Sequence, residues 1–174
     1  LAGIAAALVA AVLLWGSEGS GFQGMVVLDA VLWVQANVAP DLAVRWNCKA
    51  AKCGSCAAEI DGFPRLMCKT PITDYGATLS VRPMKAFPVI KDLVTDVSWN
   101  YEVNKEIPQF TPSEKDMKGS EPWRMQQHDV ERSMEFRKCI ECFLCQDVCH
   151  VLRSHDAKSV FYGPRFMVRI ASLE

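Results

Sequence analysis

The stretch Cys48-Lys49-Ala50-Ala51-Lys52-Cys53-Gly54-Ser55-Cys56 reads C-x4-C-x2-C, and a fourth cysteine, Cys68, follows on the far side of Asp61-Gly62. Four thiols at this spacing need a short loop that wraps a common centre with its amides turned inward. Gly54 and Ser55 bring no bulk to that loop, and glycine accepts the positive φ that a tight wrap demands. Further along stand Cys139, Cys142, Cys145 and Cys149, spaced C-x2-C-x2-C-x3-C. All eight cysteines of the chain fall into these two patterns.

The first spacing is that of a [2Fe-2S] site in plant-type ferredoxins. The second is the bacterial cubane run, whose fourth cysteine serves a second cluster in two-cluster ferredoxins. Structural zinc is the bland alternative. It usually takes two separated C-x2-4-C pairs around one tetrahedral ion, whereas both series here are denser. Disulfides fit a secreted framework better than closely spaced C-x2-C units, so the cysteines point to a reducing compartment.

Composition sets the outer limits. The chain has 174 residues, 50% hydrophobic and 22% charged, with a formal net charge of -1. That is globular usage, and the charge gives no reason to expect a nucleic-acid partner. Two well-separated cysteine series suggest one domain each: residues 1–97, a linker over 98–122 marked by prolines and mixed charges, and residues 123–174. No Walker loop, G-x-G-x-x-G or nucleophile elbow occurs, so no residue is assigned a catalytic role. Redox centres without a substrate site imply an electron conduit.

Leu1 to Trp15 is an uncharged apolar run too short to span a bilayer. It is either an edge strand of the first domain or the stub of a longer hydrophobic segment. Gly16 to Gly21 reads as a linker. The spacing predicts a helix over Met25–Val38, stopped by Pro40. A hairpin is predicted over Ala57–Ile60 and Phe63–Met67, because Asp61-Gly62 is a favoured two-residue turn; it returns Cys68 toward Cys56. A short strand over Thr78–Arg82, an amphipathic helix over Phe87–Val97, a polar helix over Met125–Arg137 and a closing helix over Val160–Leu173 complete the expectation. Arg45, Lys49 and Lys52 rim the first loop. Trp46 and Phe143, beside ligands, are candidates to shield a cluster or are core aromatics, and His128, His150 and His155 read as ordinary surface or half-buried histidines.

With both series in place, the chain resembles the iron-sulfur subunit of succinate dehydrogenase and fumarate reductase. The resemblance is carried by Arg45-Trp46-Asn47-Cys48-Lys49, Cys53-Gly54-Ser55-Cys56, Pro64-Arg65-Leu66-Met67-Cys68, Phe87-Pro88-Val89-Ile90-Lys91-Asp92-Leu93-Val94 and Arg137-Lys138-Cys139-Ile140-Glu141-Cys142. It implies an α+β chain: an N-terminal β-grasp [2Fe-2S] ferredoxin-like domain followed by a partial α-helical ferredoxin domain. It also implies [2Fe-2S] ligation by Cys48, Cys53, Cys56 and Cys68. Cys139, Cys142 and Cys145 would take three corners of a [4Fe-4S] cluster, and Cys149 would serve a [3Fe-4S] cluster. The remaining ligands are expected beyond residue 174.

The implied partners are an FAD-containing flavoprotein subunit and a membrane anchor with quinone, on the cytoplasmic face of the inner or plasma membrane. Three departures from the family pattern stand out. The family's further cysteine group is not within these residues. His150 stands where the run usually has Pro and no Trp follows, so no quinone contact is carried over. One strand of the β-grasp sheet is expected to be shortened or missing. The rival readings are an electron-carrying subunit of another flavoenzyme, which would lack the F-P-V-I-K-D-L-V stretch, and a zinc-stabilised interaction module.

Overall fold

The structure, a computed structural model, describes residues 24–76, 78–110 and 126–173. The expectations for Leu1 to Trp15, for the linker at Gly16 to Gly21 and for a shortened first strand lie outside these residues.

The first helix among the described residues, here α1, spans Val27–Asn37. Val27, Leu28, Val31 and Val34 recur at helical spacing and are fully buried. Asp29 lies outside that stripe and accepts the Val26 backbone N–H at 3.1 Å, satisfying a helix-start donor that would otherwise lack a partner. The next donors are met by the chain that follows the hairpin: Val27 N–H bonds the Thr70 carbonyl at 2.9 Å and Leu28 N–H the Met67 carbonyl at 3.1 Å. The start of α1 therefore holds the backbone on both sides of Cys68.

Strands β1, Ala57–Ile60, and β2, Phe63–Leu66, form the expected hairpin, paired Ala57 to Leu66 through Ile60 to Phe63. Asp61 and Gly62, at φ 48° and 81°, both adopt the left-handed conformation that a tight two-residue hairpin turn requires. Strand β3, only Val81–Arg82, pairs antiparallel on the other edge of β1, giving the order β2-β1-β3. Asp61 ties the turn to β3 by accepting Ser80 N–H at 2.7 Å. β1 is buried along its whole length. Ala58 and Ile60 pack with α1, Met67 and Leu42, whereas Ala57 faces a second cluster of Met84, Ala86, Phe87 and Phe143.

The amphipathic helix expected over Phe87–Val97 is not formed. Its place is taken by a second hairpin, β4 Val89–Lys91 and β5 Val94–Thr95. Asp92 turns the chain at φ 47° and its carboxylate accepts Ala43 N–H at 2.8 Å, a long-range bond that a helix over these residues would not make. Residues 98–106, expected to be linker, form helix α2, Ser98–Glu106, seated by buried Asn100 and Val103.

The second half is helical: α3 Gln127–Arg137, α4 Leu144–Val148, α5 His150–His155 and α6 Pro164–Ala171. The expected closing helix is shorter than its reading, because Gly163 at φ 88° and Pro164 fix its start. Helix α4 packs against β2, α5 and α6. Its fully buried Gln146 donates to Asn100 Oδ1 at 3.2 Å and to the Tyr162 carbonyl at 2.9 Å, and accepts Arg165 N–H at 3.2 Å. One side chain thus ties α4, α2 and the start of α6 together.

Candidate iron-sulfur sites

The first cysteine loop is built by repeated left-handed residues: Lys49, Ala51 and Gly54 have φ of 51°, 53° and 71°. Each reversal turns the backbone back on itself, so the amides point inward. Ala50 N–H and Lys52 N–H both reach Cys48 Sγ at 3.3 Å. Across the hairpin, Cys68 N–H reaches Cys56 Sγ at 3.4 Å. Amide donors aimed at sulfur stabilise thiolate over thiol and are a known lever on cluster potential. Lys49 packs its ammonium over the Trp46 ring at 5.0 Å and lies 3.8 Å from Asp29, so the loop is tied to the start of α1.

The thiols act on one another. Hydrogen bonds from the Ser55 hydroxyl, and then from the backbone at Cys48 and Ser55, pull Cys53 down to about 6. Burial pushes Cys56 up to about 12, and the negative charge of Cys68 and Cys53 adds to the rise against the Cys68 amide. Burial and its two neighbouring thiols leave Cys56 without a counter-charge, which a polycationic centre bound between the sulfurs would supply. The donor set, all soft thiolate with none in a disulfide, suits iron-sulfur. Among the described residues no three cysteine, histidine, aspartate or glutamate side chains close on one point as a mononuclear site requires. The fit therefore rests on loop geometry and donor chemistry.

The second loop shows the same device, with Glu141 and Phe143 at φ 55° and 59°. Burial raises Cys142, with Cys139 adding its charge. Cys145, although its surface is open to solvent, is raised first by desolvation and then by Cys142 and Cys139. Cys139, Cys142 and Cys145 thus form one interacting group. Cys149 lies one helix further on, at the junction of α4 and α5.

Of the other residues singled out by sequence, Phe143 is buried in edge-to-face contact with Phe87 and Tyr101, at 6.3 and 5.7 Å. It is a core aromatic. Trp46 is 43% exposed and shields little. His150 and His155 stack edge to face at 6.4 Å, and His128 lies 3.2 Å from Asp129.

Sequence reasoning missed the polar joint between the halves. Glu59, on the far face of β1, receives Arg153 Nη1 at 2.6 Å, and the same nitrogen lies 3.9 Å from Asp147. Asp147 Oδ1 accepts Ala86 N–H at 2.9 Å, while its other oxygen is buried without a hydrogen-bond partner. Burial pushes Asp147 up to about 6. The signal available was Glu59 itself, a charge in the middle of an apolar strand. Arg165, also missed, is buried and pairs with Glu141 of the second loop.

Residues 19–102 match the family described as 2Fe-2S iron-sulfur cluster binding domain. The fumarate reductase iron-sulfur subunit of Haemophilus influenzae is 31% identical over 134 residues, covering 71% of this chain and 52% of that protein. The succinate dehydrogenase iron-sulfur subunit of Paracoccus denitrificans is 29% identical over 126 residues, covering 72% of this chain and 48% of that protein. Among solved structures, a chain of the Mycobacterium smegmatis Sdh1 complex in the apo form is 61% identical. It superposes with a TM-score of 0.79 over 85% of this chain and 62% of that one. The chain spans about half the length of the curated relatives it matches. An α+β ferredoxin-like fold, a matching cluster-binding domain and these relatives converge: the chain belongs to the family of succinate dehydrogenase and fumarate reductase iron-sulfur subunits.

Proposed function

We propose that this chain is the electron-relay subunit of a succinate:quinone oxidoreductase or fumarate reductase. It would carry electrons between the FAD of a flavoprotein subunit and quinone at a membrane anchor, on the cytoplasmic face of the membrane. The observation that carries the reading is the placement of two cysteine loops against each other, each with thiols that interact. In this reading Cys48, Cys53, Cys56 and Cys68 hold a [2Fe-2S] cluster, and Cys139, Cys142 and Cys145 hold a [4Fe-4S] cluster. Cys149 contributes to a [3Fe-4S] cluster. When bound, such clusters supply one-electron centres whose potentials follow charge, hydrogen bonding and solvent exposure.

The protein's own part is positional. The left-handed residues of the first loop orient amides toward Cys48, α1 fixes the backbone around Cys68, and the Glu59–Arg153 pair holds the helical half against the sheet. In this reading the chain meets the membrane through the anchor subunit; no helix among the described residues is long and apolar enough to cross a membrane. The domain division at residues 98–122 belongs to the same proposal, although helix α2 occupies its first part.

The test is iron and acid-labile sulfide measured on the anaerobically purified complex, with the Cys53→Ser variant alongside. Iron with matching sulfide, and loss or severe change of the [2Fe-2S] electron paramagnetic resonance signal in the variant, are expected. A colourless, zinc-loaded protein without sulfide would overturn the proposal.

A further inference from the structure

The two cysteine loops touch through a residue with no side chain. A Cβ placed on Gly54 would stand 2.7 Å from Cys142 Cα and 2.9 Å from both Cys142 N and Cys142 Cβ. These are backbone atoms and the root of a ligand side chain, so no change of rotamer relieves the overlap. Gly54 lies in the segment joining Cys53 to Cys56, and Cys142 is the middle member of the interacting trio in the second loop. Beside the contact a cavity of about 90 Å³ opens between the loops, lined by Arg45, Ser55, Tyr101 and Glu141 among others. Close packing between the loops at this point therefore runs along the glycine edge.

We propose that Gly54 is a positioning residue for electron transfer between the two clusters. By carrying no Cβ, it lets the Cys142 backbone lie against the chain linking two ligands of the first site, and so sets the separation of the two centres. The inference rests on the electron-relay reading. The step it serves moves a single electron between the cluster on the first loop and the cluster on the second, one being oxidised as the other is reduced. No bond forms or breaks and no proton is transferred.

Strain has to be separated from contact, because Gly54 has φ of 71° and any L-residue there is strained. Gly62 supplies the control. It has φ of 81° in the neighbouring hairpin, yet a Cβ there would meet nothing within 4 Å. Gly62→Ala therefore carries the strain without the contact.

The experiment is microwave power saturation of the reduced [2Fe-2S] signal in the assembled complex. It is recorded at one potential where the second cluster is diamagnetic and at another where it is reduced and paramagnetic. In the wild type, reducing the second cluster is expected to raise the half-saturation power of the first. In Gly54→Ala that enhancement should fall below the wild-type value at unchanged iron content, and in Gly62→Ala it should persist. Full enhancement in Gly54→Ala would overturn the inference, as would no enhancement in a wild type that holds both clusters. If Gly54→Ala does not retain the first cluster, Gly54→Asn, which tolerates the left-handed conformation better, takes its place. If neither Gly54 variant retains the first cluster while Gly62→Ala does, Gly54 is needed to build the site rather than to set the separation, and the inference is overturned. Absence of iron and sulfide from the wild type would instead remove the relay reading itself.

Discussion

Replacing Arg153 by Met should weaken the protein more than any surface change, because it strips the counter-charge from two buried carboxylates. Arg153 Nη1 lies 2.6 Å from Glu59 Oε1 and 3.9 Å from Asp147 Oδ2, and those side chains are only 5% and 0% exposed. Breaking a buried pair by removing one partner costs about 3–5 kcal/mol, since the remaining charge stays desolvated. Arg153 is itself 21% exposed, so water can reach part of the gap; the lower end, about 3 kcal/mol, is the expected loss. With an m-value of about 2 kcal/mol/M in urea, that corresponds to a midpoint about 1.5 M lower. The triple variant Glu59→Gln, Asp147→Asn, Arg153→Met removes all three charges and should recover most of the loss, because a neutral buried set of similar volume carries no desolvated charge. The assay is urea unfolding of the loaded protein by far-ultraviolet circular dichroism, with midpoints compared at equal iron content. Two results would refute the reasoning: Arg153→Met unfolding at the wild-type midpoint, or the triple variant unfolding no later than the single one.

Asp147 gives a pH dependence of definite sign. Burial raises its folded value from the ordinary 3.8 to about 6, so between these values the native protein keeps a proton that the unfolded chain has released. Its stabilising contribution is present below about pH 4 and is lost as pH rises through about 6. Asp147→Asn should flatten that part of the curve and be the more stable protein at pH 8, as read from unfolding midpoints across pH; an unchanged slope would contradict this. Gly163→Ala should lower Tm sharply. Its Cβ would stand 2.1 Å from Gln146 Oε1 and 2.6 Å from Leu152 Cδ1, at a φ of 88°. Left-handed strain of about 1–2 kcal/mol and overpacking of about 1–3 kcal/mol both apply, and a wild-type Tm in thermal denaturation would show that the Gln146 junction yields more easily than its bonds suggest.

The cysteine pattern carried the candidate sites into view because ligand spacing is a local property, fixed within one loop. The same holds for the first hairpin, whose Asp61-Gly62 turn needs no distant partner. The segment Phe87–Val97 failed for the opposite reason. Phe87, Ile90, Val94 and Val97 repeat at helical spacing, and it is remote bonds that hold the hairpin: Ala43 N–H to Asp92, Leu93 N–H to the Ala43 carbonyl and Lys91 to the Asp41 carbonyl. Helix α2 was hidden because its burial rests on Asn100 and Val103, and Asn100 is made useful by Gln146, far along the chain. Glu59, Asp147, Arg153 and Gly54 acquire their meaning from the other half of the molecule, and no window of sequence contains both sides of those contacts.

Strand β1 has no solvent-facing side: one surface is taken by α1 and its core, the other by Phe143, Met84 and the Arg153 anchor. A sheet wetted on one side tolerates a sliding or tilting neighbour, since water refills whatever is uncovered. Here any such excursion would strand a carboxylate in oil and open a void beside the cysteine loops. The wall that gives each half its floor thus also opposes mechanical slack between them.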